Sequence, residues 1–282
     1  MAAVVGSPRV KKLESALIYA TLIVLTFAFL FPVLWVLGLS LKTRAEVFAT
    51  PPLYLWWPTF ENYADVLTRS DFLRAFINTL IVSTSAVLLS LGIGAPAAYA
   101  FARFPFKGRS ILFFALLVMR MLPPIAVLVP MYLLFNKVGL ATTRLSVVLA
   151  YTTFSLPLVV WIMRGYFEDL PVELEESAWM DGASRFGAFR YVVLPISRPG
   201  LVAASILCLQ LAWNDFLFSA VLTNNATQTL PVMMAAFNAG ESGMDWGGLT
   251  ASAMLVALPV VIFSFVAQRH LVAGLSSGAV KG

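Results

Sequence analysis

A charged segment between two long apolar stretches contains the residues of this chain that could do chemistry. It runs from Glu175 to Pro195 and reads EESAWMDGASRFGAFRYVVLP, with acidic residues first and basic residues afterwards. The cytoplasmic surface of a membrane is anionic and attracts basic segments, whereas the acidic half has no basic residue before Arg185. The chemistry that these charges suit is therefore docking onto another protein with a basic or polar cleft.

Residue types predict two short helices in this part of the chain. Pro171 suits a first helical turn, and the acidic residues after it complement the helix dipole. Gly182 can end this helix, and Ser184 can cap the next one. The small residues that would let a partner approach closely are Ser177, Ala178, Gly182 and Ala183. On residue types alone, a solvated connection between two membrane helices is an equally good interpretation.

A second group of polar residues lies inside apolar stretches. Asp215 follows Trp213 and Asn214, and Gln210 precedes them by about one helical turn. A charge at the centre of a bilayer costs about 2.5 to 3.5 kcal/mol, so Asp215 and Arg120 should face a cavity, a partner or the interface. The indole ring and the amides suit a polyhydroxylated ligand. Hydrogen bonding between helices that fixes their packing is the alternative.

The composition places these residues in a membrane protein. Of 282 residues, 60% are hydrophobic and 12% are charged, and the mean hydropathy is +0.87, which leaves too little polar surface for a water-soluble globule. A bilayer core takes roughly 20 apolar helical residues, and without the alternation of barrel strands we expect an all-α membrane protein with six transmembrane helices. The six apolar windows are residues 17–39, 79–101, 111–135, 145–163, 201–222 and 249–266.

The positions of Lys and Arg predict the orientation of these windows. Basic residues gather before the first window, after the second and after the fourth, so those segments and both termini are expected in the cytoplasm. The basic residues of the first outer loop weaken this bias, but the loop after the fifth window has none. The expected organisation is a cytoplasmic segment 1–16, a transmembrane domain 17–270 with a cytoplasmic loop 168–195 and an outer loop 223–246, and a cytoplasmic tail 271–282.

The spacing within the charged segment matches a known motif. Its elements are Glu176-Ser177-Ala178, then Asp181-Gly182-Ala183, then Leu194-Pro195. In this order they resemble the EAA loop of ATP-binding cassette (ABC) importer permeases, with Ser177 in place of the first Ala. Residues 212–216, the outer loop and the C-terminal residues 273–282 are similar to the second permease subunit of maltose-type carbohydrate importers. The likeness covers nearly the whole chain.

This resemblance implies the permease subunit of an ATP-driven importer for an oligosaccharide, a disaccharide, a sugar alcohol or a related polyol derivative. The implied partners are a second permease subunit, two cytosolic ATPase subunits and an extracytoplasmic substrate-binding protein, assembled with lipid in a bacterial inner membrane. ATP and Mg²⁺ would bind to the ATPases, because this chain has no Gly-rich phosphate loop, and no cofactor or catalysis is expected of it. Nucleic acid is not expected either, since the membrane orientation explains the basic residues.

The resemblance also assigns roles to residues. The loop would hold a coupling helix seated in a cleft of the ATPase, the tail would reach between the two ATPases, and the outer loop would enter the binding protein. From composition alone, the tail is a flexible terminus and the outer loop a plain solvent loop. The residues expected to couple to the ATPase are Glu175, Glu176, Ser177, Ala178, Asp181, Gly182, Ala183 and Pro195. The expected tail contacts are Ser276, Ser277, Gly278, Lys281 and Gly282. The candidates for the substrate pathway are Gln210, Trp213, Asn214 and Asp215.

Two other classes of protein remain open. A secondary transporter driven by an ion gradient would have paired discontinuous helices in two repeats and buried acidic relays, for which Asp215 is the one candidate. An intramembrane enzyme would need a cluster of acid, base or metal-binding groups. His270 is the only histidine and Cys208 the only cysteine, so we expect no metal site.

Overall fold

The structure is a computed structural model that describes residues 8–51, 53–236 and 245–279, with side chains between residues 14 and 265 of those ranges. Every regular element in the described ranges is helical, which confirms the all-α prediction. The chain divides into two compact units, Met1–Thr68 with Phe237–Leu255 and Arg69–Ala236 with Val256–Gly282.

The helices are distributed between the two units, and the last helix passes from one to the other. The first unit contains α1 (Pro8–Ser40), α2 (Arg44–Val47), α3 (Glu61–Thr68) and the start of α14 (Trp246–Ala279). The second unit contains α4 (Ser70–Arg103), α5 (Arg109–Met121), α6 (Pro124–Lys137), α7 (Arg144–Asp169), α8 (Glu173–Met180), α9 (Arg185–Ala188), a π-helical turn (Phe189–Val193), α10 (Leu194–Ile196), α11 (Arg198–Asn214), α12 (Leu217–Leu222), α13 (Leu230–Ala236) and the rest of α14.

In the first unit, α1 is apolar and exposed over most of its length. Residues 14–35 all have exposed side chains, and a helix that is apolar on every side is stable in lipid or against another membrane helix. The end of α1 is fixed, because the Asn62 amide donates to the carbonyls of Ser40 at 2.9 Å and Lys42 at 2.8 Å. These bonds hold the end of α1 to α3.

The core of the second unit lies where α4 packs along α7. Gly94 permits the close approach, since a Cβ atom at this position would lie 2.7 Å from Cγ1 of Val159. Helix α11 packs against both, and Ala98, Phe167 and Ala204 are fully buried in the cluster that results. Small residues are typical of such interfaces, because van der Waals packing drives the association of helices in lipid.

Four of the six apolar windows fall on continuous helices. The helical segments long and apolar enough to cross a membrane are Glu14–Ser40, Ser70–Arg103, Arg144–Asp169 and Trp246–Phe265. Two pairs of shorter helices also qualify, Arg109–Met121 with Pro124–Lys137 and Arg185–Ile196 with Arg198–Asn214, but they are bent by 98° and 75°. The described part of the chain therefore has four candidate spans, or up to six if each bent pair is one span.

The windows 111–135 and 201–222 contain breaks that hydropathy did not predict. In the first, Pro123 and Pro124 have no backbone N–H, and the residue before a proline avoids helical backbone angles. Leu122 is accordingly extended, with φ −65° and ψ 132°. In the second, Asp215 is extended at φ −71° and ψ 126° and separates α11 from α12. Both windows are thus two helices each.

The contact between α4 and α7 can be tested with two glycines of α4. We expect Gly94→Ala to lower the thermal unfolding midpoint of the detergent-purified protein, because its Cβ would press on the stiff side chain of Val159, and overpacking costs about 1 to 3 kcal/mol. Gly92 is the matched control, since a Cβ there meets nothing within 4 Å. Gly92→Ala should keep or raise the midpoint, because alanine favours a helix by about 1 kcal/mol. Equal midpoints for the two variants would show that the helices are not in close contact at Gly94.

Candidate functional site

The charged segment folds into the two short helices and the bend that were predicted. Gly182 follows α8 with φ +87°, its N–H donates to the carbonyl of Trp179 at 3.0 Å, and the N–H of Ala183 donates to that of Ala178 at 2.9 Å. This pair of bonds is the glycine-based cap that commonly ends helices. Ser184 then begins α9, because its hydroxyl accepts from the N–H of Gly187 at 3.1 Å.

A Cβ atom at Gly182 would have no heavy atom within 4 Å. Glycine is therefore needed for the left-handed backbone and not for space within this chain. The prediction for Pro171 is wrong by two residues, since α8 begins at Glu173 and Pro171 lies outside it.

Glu175 is held inside the protein by the end of α4. Its side chain is 1% exposed. The Arg103 Nε donates to its Oε1 at 2.6 Å, and the Tyr99 hydroxyl donates to its Oε2 at 2.5 Å. Arg103 also donates through Nη2 to the carbonyl of Leu170 at 2.8 Å, in the turn before α8. We call Glu175, Tyr99 and Arg103 the Glu175 clasp, which joins α8 and the preceding turn to α4.

A cluster of aromatic rings makes a second attachment. Phe189, in the π-helical turn after α9, lies 4.6 Å from the ring of Tyr99 and 6.1 Å from that of Phe167, measured between ring centroids. Tyr99 and Phe167 are themselves 5.8 Å apart in an edge-to-face arrangement, which is favourable for aromatic pairs. The charged segment is thus fixed to α4 and α7 on both sides of its bend.

The opposite face of α8 points away from the rest of the chain. Glu175 and Ala178 lie on its inward face, whereas Glu173, Glu176, Ser177 and Met180 are exposed at the spacing of one helical face. Met180 is 89% exposed. We call these four exposed residues the outward face of α8. This face is therefore open to a partner, to which it offers acidic groups and one apolar side chain.

The other residues predicted to couple to an ATPase lie at different depths. Asp181 and Gly182 are exposed beside the outward face, and Ala178 and Ala183 are half-buried. Pro195 is half-buried in α10, just before the 75° bend into α11. The bend is tightly packed, since a Cβ atom at Gly200 would lie 2.6 Å from the ring of Tyr166.

Five helices, α5, α6, α7, α11 and α12, surround a cavity of about 240 Å³. The cavity lies where α5 is separated from α6 and where α11 is separated from α12. Its charged residues are Arg120, whose Nη1 donates to the carbonyl of Phe154 at 3.4 Å, and Asp215. Oδ1 of Asp215 accepts from the N–H of Phe218 at 3.0 Å and from that of Ser219 at 3.4 Å, so Asp215 caps α12. The residues that line the cavity are Arg120, Pro124, Tyr151, Phe154, Ser155, Leu211, Ala212, Asp215 and Phe218.

Of the four candidates for a substrate pathway, Asp215 is the one that lines this cavity. Trp213 is 1% exposed, and its Nε1 donates to the carbonyl of Val256 at 3.1 Å, so it serves helix packing. Asn214 is exposed and donates to the carbonyl of Gln210 at 2.8 Å, within its own helix. Gln210 is also exposed and borders a separate, much smaller cavity.

Sequence reasoning missed Tyr151 and Phe154 as walls of the cavity. Both belong to the apolar window 145–163, and nothing in their types or spacing distinguishes them from residues that pack against lipid or other helices. Arg120 carried a signal, because a charge inside an apolar window needs a polar environment.

The first part of the outer loop is bound to α4 and α7. Asn78 is fully buried, and its amide donates to the carbonyls of Ala226 at 3.0 Å and Gln228 at 2.9 Å. Its Oδ1 accepts from Nε of Arg144 at 2.7 Å. Residues 237–244 of this loop lie outside the described residues. In the tail, Ser276, Ser277 and Gly278 continue the backbone of α14, and Lys281 and Gly282 lie outside the described residues.

The sequence is similar to those of several known proteins. The family model described as binding-protein-dependent transport system inner membrane component matches residues 90–277. The trehalose transport system permease protein SugB of Mycobacterium tuberculosis is 39% identical over 90% of this chain and 93% of its own length. The trehalose/maltose permease MalG of Thermococcus litoralis is 31% identical over 97% and 99%. The diacetylchitobiose permease DasC of Streptomyces coelicolor is 33% identical over 93% and 95%.

A solved structure has the same fold. A chain of a bacterial ABC transporter involved in the import of the acidic polysaccharide alginate superposes with a TM-score of 0.77, covering 95% of this chain and 99% of that one. Its sequence is 23% identical.

Two adjacent glutamates provide a test of the Glu175 clasp. We expect Glu175→Ala to lower the thermal unfolding midpoint clearly, because it leaves the charge of Arg103 without its buried partner, and such losses cost about 3 to 5 kcal/mol. Hydrogen exchange over residues 173–180 should also become faster. Glu176→Ala is the matched control, since its side chain is exposed and surface changes fall within about 0.5 kcal/mol. If both variants unfold at the same temperature, Glu175 does not anchor α8.

Proposed function

Because the chain belongs to the binding-protein-dependent transport system inner membrane components, we propose that it is the permease subunit of an ATP-driven importer for a carbohydrate. The names of its relatives support the substrate class, since they carry trehalose, maltose and diacetylchitobiose. The observation that carries the mechanism is the division of α8 into a face clasped by α4 and an outward face whose side chains are exposed. An oligosaccharide, a disaccharide, a sugar alcohol or a related polyol derivative fits this class.

The same membership supports a complex with other proteins. The solved relatives include a bacterial alginate ABC transporter in complex with a periplasmic protein bound to an alginate pentasaccharide. In the proposed complex, a second permease subunit supplies the other half of the pathway, two cytosolic ATPases bind ATP and Mg²⁺, and a substrate-binding protein delivers the carbohydrate from outside. This chain is the non-catalytic subunit, crosses the bacterial inner membrane several times and has both termini in the cytoplasm.

The outward face of α8 is the proposed ATPase contact. Glu176 and Asp181 offer negative charge to a basic cleft, and Met180 offers an apolar side chain that is almost fully exposed. The open space around Gly182 lets a partner come close to the backbone at the bend. Ala178 and Ala183, which are half-buried, shape the edge of the same contact.

The Glu175 clasp gives this contact a mechanical consequence. Movement of the ATPase displaces α8, and the buried bonds from Arg103 and Tyr99 transmit that displacement to the end of α4. Since α4 and α7 pack along their length and share the ring of Phe189, the two helices move together. The helices that surround the cavity are then displaced by an event on the cytoplasmic side.

Two further contacts belong to the proposal. The tail with Ser276, Ser277, Gly278, Lys281 and Gly282 reaches between the two ATPases. The outer loop 223–246 contacts the binding protein, and the bonds from Asn78 hold its first part in place so that the rest projects from a fixed base.

The family match separates this function from the two others that the sequence left open. An ion-driven transporter is also expected to have interrupted helices, and the described part of this chain has helix breaks at Leu122 and Asp215. The relatives and the structure described above, however, are permeases and an ABC transporter. The breaks are therefore assigned to the carbohydrate pathway of an ABC importer.

A charge reversal on the outward face tests the proposed coupling. Glu176→Lys should reduce carbohydrate uptake by the complete importer, and the ATPase activity stimulated by the binding protein, about tenfold or more, because it presents a positive charge to a basic cleft. The amount of protein in the membrane should not change, since the side chain is exposed. Glu14→Lys makes the same change at an exposed residue of α1 and should leave both activities intact.

Uptake and co-purification with the ATPases decide the outcome. Normal uptake together with normal ATPase association in Glu176→Lys would contradict the assignment of α8 as the coupling helix. The same losses in Glu14→Lys would show that the effect comes from net charge and not from α8.

A further inference from the structure

Two interrupted helices meet at the cavity of about 240 Å³. The break between α5 and α6 places Arg120 and Pro124 in its wall, and the extended residue between α11 and α12 places Asp215 and Phe218 there. The two breaks are distant in sequence, and the fold brings them together against α7. The position of both breaks at one cavity has a common physical reason.

That reason lies in the backbone groups that each break leaves without a helical partner. At membrane depth, such groups are tolerated where protein covers them or where they line a water-filled cavity. Pro123 and Pro124 remove two donors from the first break, and Asp215 satisfies only two N–H groups of the second. A cavity with polar groups in its wall is a place where such breaks are tolerated.

The side chains add charges of opposite sign. Arg120 offers guanidinium donors, and Asp215 offers carboxylate oxygens. Hydrogen bonds to charged groups are stronger than those between neutral groups. A hydroxyl both donates and accepts, so neighbouring hydroxyls of one ligand can accept from a guanidinium and donate to a carboxylate. The two charges together leave the cavity without a net charge, which disfavours an anionic or cationic occupant.

The remaining walls are aromatic. The rings of Phe154 and Phe218 lie 4.9 Å apart between centroids, and the Tyr151 hydroxyl lies near Asp215, donating to its backbone carbonyl at 3.4 Å. Flat apolar rings beside a few polar groups are typical of small-molecule sites. At about 240 Å³ the cavity lies below the usual 300 to 1,000 Å³ of such sites, so it takes a single ring.

We propose that this cavity is a subsite for one ring of a neutral carbohydrate, with its hydroxyls bonded between Arg120 and Asp215 and its C–H face on Phe154. The proposal rests on the proposed function and adds to it a location and a selectivity. A neutral sugar ring bonds to both groups through its hydroxyls. A uronic acid ring brings a second negative charge into a site that already holds Asp215, and pairing its carboxylate with Arg120 takes that guanidinium from the hydroxyls. This chain therefore contacts the substrate directly and discriminates against acidic sugars.

Binding to the complete transporter without its binding protein tests the subsite. Trehalose is the probe, and saturation-transfer NMR detects its ring protons against the aromatic walls. We expect Arg120→Gln to weaken trehalose binding about tenfold, because it removes bonds to a charged group. Lys137→Gln, which removes the same charge from an exposed residue at the end of α6, should bind trehalose as the unmodified protein does.

Asp215→Asn tests the selectivity while keeping an oxygen that can cap α12. We expect it to weaken trehalose binding and to strengthen the binding of dimannuronate, an acidic disaccharide, so that the ratio of the two affinities shifts at least tenfold. The unmodified transporter should prefer trehalose. Unchanged affinities in both Arg120→Gln and Asp215→Asn, with unfolding midpoints also unchanged, would overturn the subsite.

Uptake by the complete importer with its binding protein distinguishes this failure from failure of the proposed function. If trehalose, maltose or diacetylchitobiose is taken up but no variant changes binding, the importer assignment stands and the subsite is wrong. If none of the three sugars is taken up and none binds to the unmodified transporter, both the carbohydrate assignment and the subsite are wrong.

Discussion

The buried carboxylate of Glu175 is the constraint on which the cytoplasmic side of this protein depends. A charge that leaves water is stable only when its bonds are made, and here both oxygens are bonded, one to Arg103 and the other to Tyr99. Because these partners stand at the end of α4, the position of α8 is set by a long membrane helix and not by its own short sequence. An eight-residue helix would be marginal alone. The clasp gives it a fixed position and leaves its opposite face to another protein.

The membrane imposes a second constraint, which accounts for the cavity. Continuous helices satisfy most of their own backbone groups, and α4 and α7 are continuous and pack closely at Gly94. At the breaks at Pro123 and Asp215, regular helical hydrogen bonds are lost. These breaks lie in the wall of a cavity or beside it, and not on a dry face of the core. Helix α7 takes part in both the close packing and the cavity wall, since Val159 packs against α4 while Tyr151 lines the cavity.

The sequence predicted those features that depend on residues close to one another along the chain. The end of α8 at Gly182 and the start of α9 at Ser184 depend on residues within one turn, and both were predicted. The burial of Glu175 was not, since its partner Arg103 is 72 residues away and its neighbour Glu176 looks the same in sequence. The contact of Trp213 was not predicted for a similar reason, because its partner is the carbonyl of Val256 on another helix. Hydropathy likewise located the windows but averaged over the break at Asp215.

The cap at Gly182 has a stereochemical consequence. Its φ of +87° is unfavourable for side chains of natural handedness, yet the space in which a Cβ would sit is empty. Within this chain the position therefore discriminates by chirality and not by size. A D-alanine introduced there by chemical synthesis would fit the bend as well as glycine does, while restricting the unfolded chain more. Among the other genetically encoded residues, asparagine and aspartate, which visit this conformation most readily, are the substitutions that the bend can accept.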